Sequence, residues 1–277
     1  MDYKKLYEWG RTALQNAGVD EAALDARLLL EYVCGTDRNT LLVHGDREVS
    51  ETDQSKYEDF IGKRESRIPL QHITGEQEFM GLTFMVNEHV LIPRQDTETL
   101  VEEALRNLHD GMAVLDMCTG SGCILLSLLN YTNDCVGVGV DISEKALEVA
   151  GENNRRLGKN ATFLQSDLFE NVEGKFDMIV SNPPYIPSDV IPTLMEEVKT
   201  YEPLNALDGK EDGLYFYREI IRQAGEYLNR GGWLLFEIGC EQAKDVSKLL
   251  SDAGFKEVQT IKDLAGLDRV VFGTYLP

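Results

Sequence analysis

"AVLDMCTGSGCILLSLL", residues 113–129, runs from an apolar stretch ending at Asp116, through a turn holding Gly120 and Gly122, into a second apolar stretch. That order reads as strand, tight turn and helix, the start of a βα unit. Glycines let the backbone approach a ligand closely, and a helix beginning near Gly122 offers N–H groups to an anionic group. The dinucleotide fingerprint requires a third glycine, but Leu125 stands in its place, so the match to an NAD site is incomplete. The turn reads as a nucleotide-type cradle.

Working outward, apolar strand candidates recur at 136–140, 162–164, 176–180, 233–238, 257–260 and 269–274. Helix candidates at 97–108, 122–131, 143–157, 213–229 and 240–252 alternate with them. This alternation predicts an α/β fold with a doubly wound, largely parallel sheet that binds ligands beyond the carboxyl ends of its strands. Residues 1–71 read instead as a small helical bundle. Leu6, Trp9, Ala13, Leu14 and Ala17 recur at helical spacing, as do Leu24, Leu28 and Tyr32 after Asp20 as N-cap; Ser50 and Asp53 form a capping-box pattern. Residues 72–93, with Gly75 and Gly81 and ending at Pro93, predict a β-hairpin linker to a domain spanning 94–277.

The formal net charge of −21 argues against a nucleic-acid partner, since non-specific affinity comes from neutralising phosphates. Five scattered cysteines without a CxxC pair predict neither a disulfide framework nor a metal site. No apolar run approaches the about 20 residues that span a bilayer, and the N-terminus has no continuous apolar stretch; the expected compartment is the cytoplasm.

Asp116, Asp141 and Asp167 fall at three successive strand ends. Asp141 is placed to accept from both hydroxyls of a ribose and Asp167 from the exocyclic amine of a base. So many carboxylates would repel a dinucleotide's phosphates, whereas S-adenosylmethionine has no phosphate and carries a sulfonium and an ammonium. Asp116 is then expected at the amino-group side of the methionine. "VSNPPYIPSD", residues 180–189, ends the fourth strand candidate. Pro183 and Pro184 present carbonyl oxygens without N–H groups, and Asn182 adds a side-chain acceptor. Two acceptors gripping a planar –NH2 can turn its lone pair toward a methyl group, with Tyr185 stacked on the plane. Arg94, Thr97 and Glu98 either shape the pocket mouth or cap the following helix.

"LDMCTGSGC", "VDIS", "SDLF" and "SNPPY" resemble the class I S-adenosylmethionine-dependent methyltransferases of planar amino groups. With the helical N-terminus, "PLQHITGEQEFMGLTFMVNEHVLIPRQDTETLV", "EPLNALDGKEDGL", "LLFEIGCEQ" and "DRVV", nearly the whole chain resembles the bacterial release factor glutamine methyltransferases. The resemblance implies a Rossmann-like, seven-stranded, mostly parallel sheet. It implies methylation of the glutamine amide in the Gly-Gly-Gln loop of class 1 peptide chain release factors, docked with help from the helical domain. It places the cofactor on Asp116, Cys118, Thr119, Gly120, Ser121, Gly122, Asp141, Ile142, Asp167, Leu168 and Asn182, and the substrate on Asn182, Pro183, Pro184 and Tyr185, with Asn182, Pro183 and Tyr185 catalytic. Cys118 and Gln95 depart from the family's usual glycine and proline, and Leu168 from the aromatic of some relatives; cysteine fits the turn unless its φ is positive. A monomer is expected.

Three other readings stay open. A ribosomal protein's glutamine would use the same chemistry, adenine in DNA or RNA presents a similar –NH2, and a non-catalytic adaptor could merely sense S-adenosylmethionine. Charge disfavours the second, and an intact NPPY loop the third.

Overall fold

A computed structural model describes all 277 residues. The chain divides into two compact units, Met1–Glu76 with Met195–Tyr201, and Gln77–Leu194 with Glu202–Pro277. The expected boundary at residue 71 and the observed one after Glu76 differ by a short helix over Leu70–Thr74.

The first unit is helical: α1 (Tyr3–Asn16), α2 (Ala22–Cys34), α3 (Arg38–Val43), α4 (Glu51–Glu65) and α5 (Leu70–Thr74). Asp2 and Ser50 cap α1 and α4 by accepting from Lys5 N and Asp53 N, as the Ser50 pattern predicts. Asp20 is not the cap of α2, which begins after Glu21 with no side-chain cap bond. The buried stripe of α2 is Ala22, Ala26, Leu29 and Leu30, while Leu24 and Tyr32 are exposed. Their spacing is helical, but the adjacent register packs on Leu6, Leu14, Tyr57 and Ile61. A short helix from far along the chain (Glu196–Tyr201) belongs to this unit. Its buried Glu197 accepts from Arg64 Nη2 and Arg67 Nη2, both at 3.0 Å, and Arg64 Nε also donates to Asp25 at 2.8 Å. Breaking such a buried charged cluster costs about 3–5 kcal/mol.

The second unit opens with a hairpin, β1 (Glu76–Phe79) and β2 (Leu82–Met85). Its two-residue turn places Met80 and Gly81 at φ 51° and 67°, the hand that matches strand twist. Helix α6 (Gln95–Asn107) follows, and then strands alternate with helices: β3 (Ala113–Met117), α7 (Cys123–Asn130), β4 (Val136–Asp141), α8 (Glu144–Arg156), β5 (Thr162–Gln165) and β6 (Phe176–Ser181). The outlying short helix α9 (Glu196–Tyr201) interrupts the series, which resumes with α10 (Tyr215–Tyr227), β7 (Leu228–Glu237), α11 (Ala243–Asp252), β8 (Lys256–Lys262) and β9 (Asp268–Thr274). The seven-stranded sheet has the order β5-β4-β3-β6-β7-β9-β8, parallel except for β9, which runs antiparallel to β7 and β8. The mostly parallel seven-stranded sheet is as expected. Strand β7 begins before the expected residue 233, because α10 ends at Tyr227.

Side chains alternate across the sheet. Leu115, Met117 and Ile179 pack with Tyr217, Ile220 and Val246 on one face, whereas Val114, Met178 and Val180 pack with Leu100, Ile124 and Leu125 on the other. Burying each such side chain contributes about 1.5–3 kcal/mol. Strand order reverses direction at β3 and β6, whose register pairs Asp116 with Val180 and Met117 with Ser181. Two loops are therefore delivered side by side at the carboxyl edge: the one after Met117 and the one after Ser181.

Candidate active site

The β3–α7 turn is held by a buried carboxylate. Asp116 Oδ2 accepts from Thr119 Oγ1 at 2.6 Å and from Leu125 N at 3.3 Å, satisfying a first-turn donor of α7 from outside the helix. Its Oδ1 is buried without a partner. Burial pushes this carboxyl up to about 7 against the pull of those two hydrogen bonds, with Asp141 adding repulsion. Gly122 begins α7 at φ 78°, and a Cβ there would press within 3.2–3.3 Å of Leu126, Ala150 and Phe163. Cys118 has φ 62°, so the departure from glycine falls where a side chain is strained. Leu168 is also left-handed, at φ 49°.

Asp141, at the end of β4, accepts from Gly120 N and Ser143 N, both at 2.9 Å. Burial raises its pKa, opposed by the N–H groups of Ser143, Gly120 and Ile142. Each oxygen keeps a lone pair for another donor. Buried Asn153 of α8 backs the turn: its Nδ2 donates to Ser121 O at 2.9 Å and Met85 O at 3.0 Å, and its Oδ1 accepts from Met85 N at 2.7 Å. The linker hairpin thereby supports the cradle.

Beyond the strand ends lies a cavity of about 220 Å³. Cys118, Thr119, Gly120, Ser121, Asp141, Ile142, Asp167, Leu168, Asn182 and Pro184 line it, so most of the sequence-derived positions converge. Asp116, Gly122, Pro183 and Tyr185 are not among its lining residues. Asp116 turns one carboxylate oxygen, Oδ2, into the βα turn, while Oδ1 is buried without a partner.

On the clamp side, Ser181 Oγ donates to Met117 O at 2.7 Å and ties the end of β6 to β3. Asn182 Nδ2 faces Thr97 Oγ1 of α6 at 3.4 Å. Tyr185 packs its half-buried ring against the core around β7, with its hydroxyl 3.4 Å from Glu237 Oε1. Burial pushes the Tyr185 hydroxyl well above its ordinary pKa. Glu237 is fully buried and its Oε2 has no partner; burial raises it to about 7, opposed first by Thr97 and then by Arg269.

Arg94 and Thr97 line the cavity. Arg94 also pairs with buried Glu202, whose pKa burial raises. Glu98 does neither expected job, because its Oε1 accepts from Met80 N in the hairpin turn. Gln95 is the exposed first residue of α6, a position that proline and glutamine both suit. The β7 carboxylate Glu237 and the wall residues Pro203, Asn205, Ala206 and Lys210 escaped residue-level reading, although they lie in stretches that carry the family resemblance.

Residues 5–75 match the model of the PrmC N-terminal domain and residues 95–197 that of the methyltransferase small domain. A release factor glutamine methyltransferase of Geobacter sulfurreducens is 44% identical over 271 residues, covering 98% of this chain and 95% of that protein. This chain belongs to the release factor glutamine methyltransferase family. Its namesake in Clostridium botulinum is 42% identical and covers 98% of both chains. A solved methyltransferase of Pyrococcus furiosus aligns with TM-score 0.55 at 18% identity over 71% of this chain and 90% of that one. A Thermus thermophilus 16S rRNA methyltransferase in complex with AdoMet and guanosine aligns with TM-score 0.52 at 19% identity, over 72% and 49%. These two likenesses concern the fold alone, which is shared with an RNA-modifying enzyme and so does not choose the substrate.

Proposed function

We propose that the protein transfers the methyl group of S-adenosylmethionine to the side-chain amide nitrogen of the glutamine in the Gly-Gly-Gln loop of peptide chain release factors. The observation that carries this reading is the juxtaposition, on neighbouring strands β3 and β6, of a carboxylate-lined cradle and an Asn-Pro-Pro-Tyr loop whose Asn182 faces the same cavity. Full-length similarity to release factor glutamine methyltransferases supports the choice of glutamine.

The donor set suits S-adenosylmethionine. Asp141 and Asp167 supply acceptors for hydroxyl and amine groups, Ile142 and Leu168 supply apolar walls, and the orphaned Asp116 Oδ1 suits an ammonium. When bound, the cofactor supplies an electrophilic methyl group on a sulfonium, which departs as a neutral thioether. Asn182 Oδ1 and the Pro183 carbonyl grip the two N–H bonds of the substrate amide. That grip turns the nitrogen lone pair out of conjugation and toward the methyl carbon, and it stabilises the positive charge growing on nitrogen. Pro184 keeps competing N–H donors away from these acceptors. Once the N–CH3 bond has formed, the now acidic N-methylated amide releases one proton to solvent, yielding a neutral N-methyl amide without a strong general base. Tyr185 fixes the loop, its ring packed on the core and its hydroxyl 3.4 Å from Glu237 Oε1.

Net charge of −21 supports a protein substrate over a phosphate backbone. The test is incubation with methyl-labelled S-adenosylmethionine and, separately, a release factor, a large-subunit ribosomal protein and duplex DNA, with the label located by mass spectrometry. Label on the Gly-Gly-Gln glutamine is expected. Label on adenine, on ribosomal protein alone, or nowhere would overturn the reading.

A further inference from the structure

Gln242 does not line the cavity and lies in the turn between β7 and α11, yet its amide nitrogen is engaged with the clamp. Nε2 donates to Tyr185 O at 3.0 Å and to Gly213 O at 3.2 Å. Oε1 accepts from Gly239 N at 2.9 Å and lies 3.4 Å from the Tyr217 hydroxyl, which itself donates to Glu237 O at 2.9 Å. One side chain thus fastens three stretches of irregular backbone: the clamp at Tyr185, the segment before α10 at Gly213 and the end of β7 at Gly239.

The clamp needs such a fastening. Pro183 and Pro184 have no N–H, so the loop cannot extend the β6 ladder through them. Beyond them, Ile186 N donates to Leu207 O at 3.1 Å and Gly209 N to Ile186 O at 2.8 Å, tying the chain to residues 207–209. The Gln242 amide supplies the cross-link between those anchors and the strand end, much as a ladder bond would. Tyr185 is then held at its carbonyl by Gln242 and at its hydroxyl by Glu237.

We propose that Gln242 is a positioning residue for methyl transfer: by fixing the Tyr185 carbonyl it sets the placement of the Asn182 and Pro183 acceptors. The role rests on the glutamine methyltransferase reading above. It predicts a loss in the chemical step without a loss in cofactor binding, because Gln242 does not line the cavity. A misplacement near 1 Å costs about 10²-fold in rate.

Two near-isosteric variants test it. Gln242→Glu puts a carboxylate oxygen against the carbonyls of Tyr185 and Gly213; Gln242→Met removes the donors while filling the space. Measured on the full chain with a release factor as substrate, kcat is expected to fall at least tenfold in both variants. The calorimetric Kd for S-adenosylmethionine is expected to stay within about twofold of wild type, and the protein to remain folded by thermal melting. Hydrogen exchange across residues 182–190, which needs no substrate, is expected to speed up in both. Unchanged exchange in 182–190, or kcat equal to wild type, overturns the proposal, as does a parallel loss of kcat and cofactor affinity. A wild-type protein that modifies no release factor but shows faster exchange in both variants would end the functional reading while leaving the fastening role of Gln242 in place.

Discussion

The two loops at the carboxyl edge of the sheet solve opposite problems. The turn after β3 is made of residues with open or left-handed backbone, Cys118, Gly120 and Gly122, and is braced by the carboxylates of buried Asp116 and half-buried Asp141. The loop after β6 is made of prolines and is braced by an amide, Gln242, and a tyrosine hydroxyl. The first gives up side chains to bring N–H groups and oxygens close to a ligand. The second gives up N–H groups to leave acceptors uncontested. On the proposed function, binding and orientation are separable, so substitutions in one loop should leave the other's task largely intact.

Outside the proposed acceptors themselves, the largest effect is expected at Gly213. Its φ is 71°, and a Cβ there would collide with the Tyr185 carbonyl oxygen. Gly213→Ala should displace the clamp and lower kcat by about 10²-fold, with the cofactor Kd nearly unchanged in calorimetry. Next comes Asp141→Ala, which removes an acceptor from the cavity and two braces from the cradle. Hydrogen bonds to charged groups contribute about 1.5–3 kcal/mol, so cofactor affinity should weaken by roughly 10- to 100-fold. Turnover at saturating cofactor should fall much less.

A third effect is read in pH. Glu237 titrates near 7 in the folded chain against an ordinary 4.5. Between those values the native state holds the extra proton, so stability falls as pH rises, by up to about 1.4 kcal/mol per pH unit. Asp116, raised from 3.8 to about 7, contributes the same sign. Glu237→Gln should thus flatten, without abolishing, the decline in thermal stability from pH 5 to 7; an unchanged slope would show that the buried carboxyl does not titrate there. The smallest effect is at Cys118, where glycine removes left-handed strain. Cys118→Gly should change stability by no more than about 1 kcal/mol, with relief of strain opposed by greater unfolded-state entropy. It should also leave the clamp's rate alone.

The same contrast explains what the sequence disclosed. Glycine and proline announce backbone geometry directly, and apolar period announces strands, so the two loops and the succession of strands and helices along the chain were legible, whereas the strand order within the sheet was not. Residues acting at a distance were not. Asn153 looks like any polar helix residue until α8 packs on β2, and Gln242 like any helix cap until Tyr185 and Gly213 are beside it. In the helical unit Leu24 and Tyr32 carry the same spacing as the true core register, and only packing chooses between them. Arg64 reads as a favourable charge in the last turn of α4, although it is buried against Asp25 and Glu197.

The separation of binding from orientation is tested most directly at Asn182. S-adenosylmethionine is titrated calorimetrically into Asn182→Ala, and a single methyl transfer to release factor is followed in the same preparation. The expected result is a cofactor Kd within about twofold of wild type and a transfer rate lower by about 10²- to 10³-fold, the loss typical of removing one preorganised transition-state contact. Equal losses of affinity and rate would contradict it and make Asn182 a part of the cofactor site.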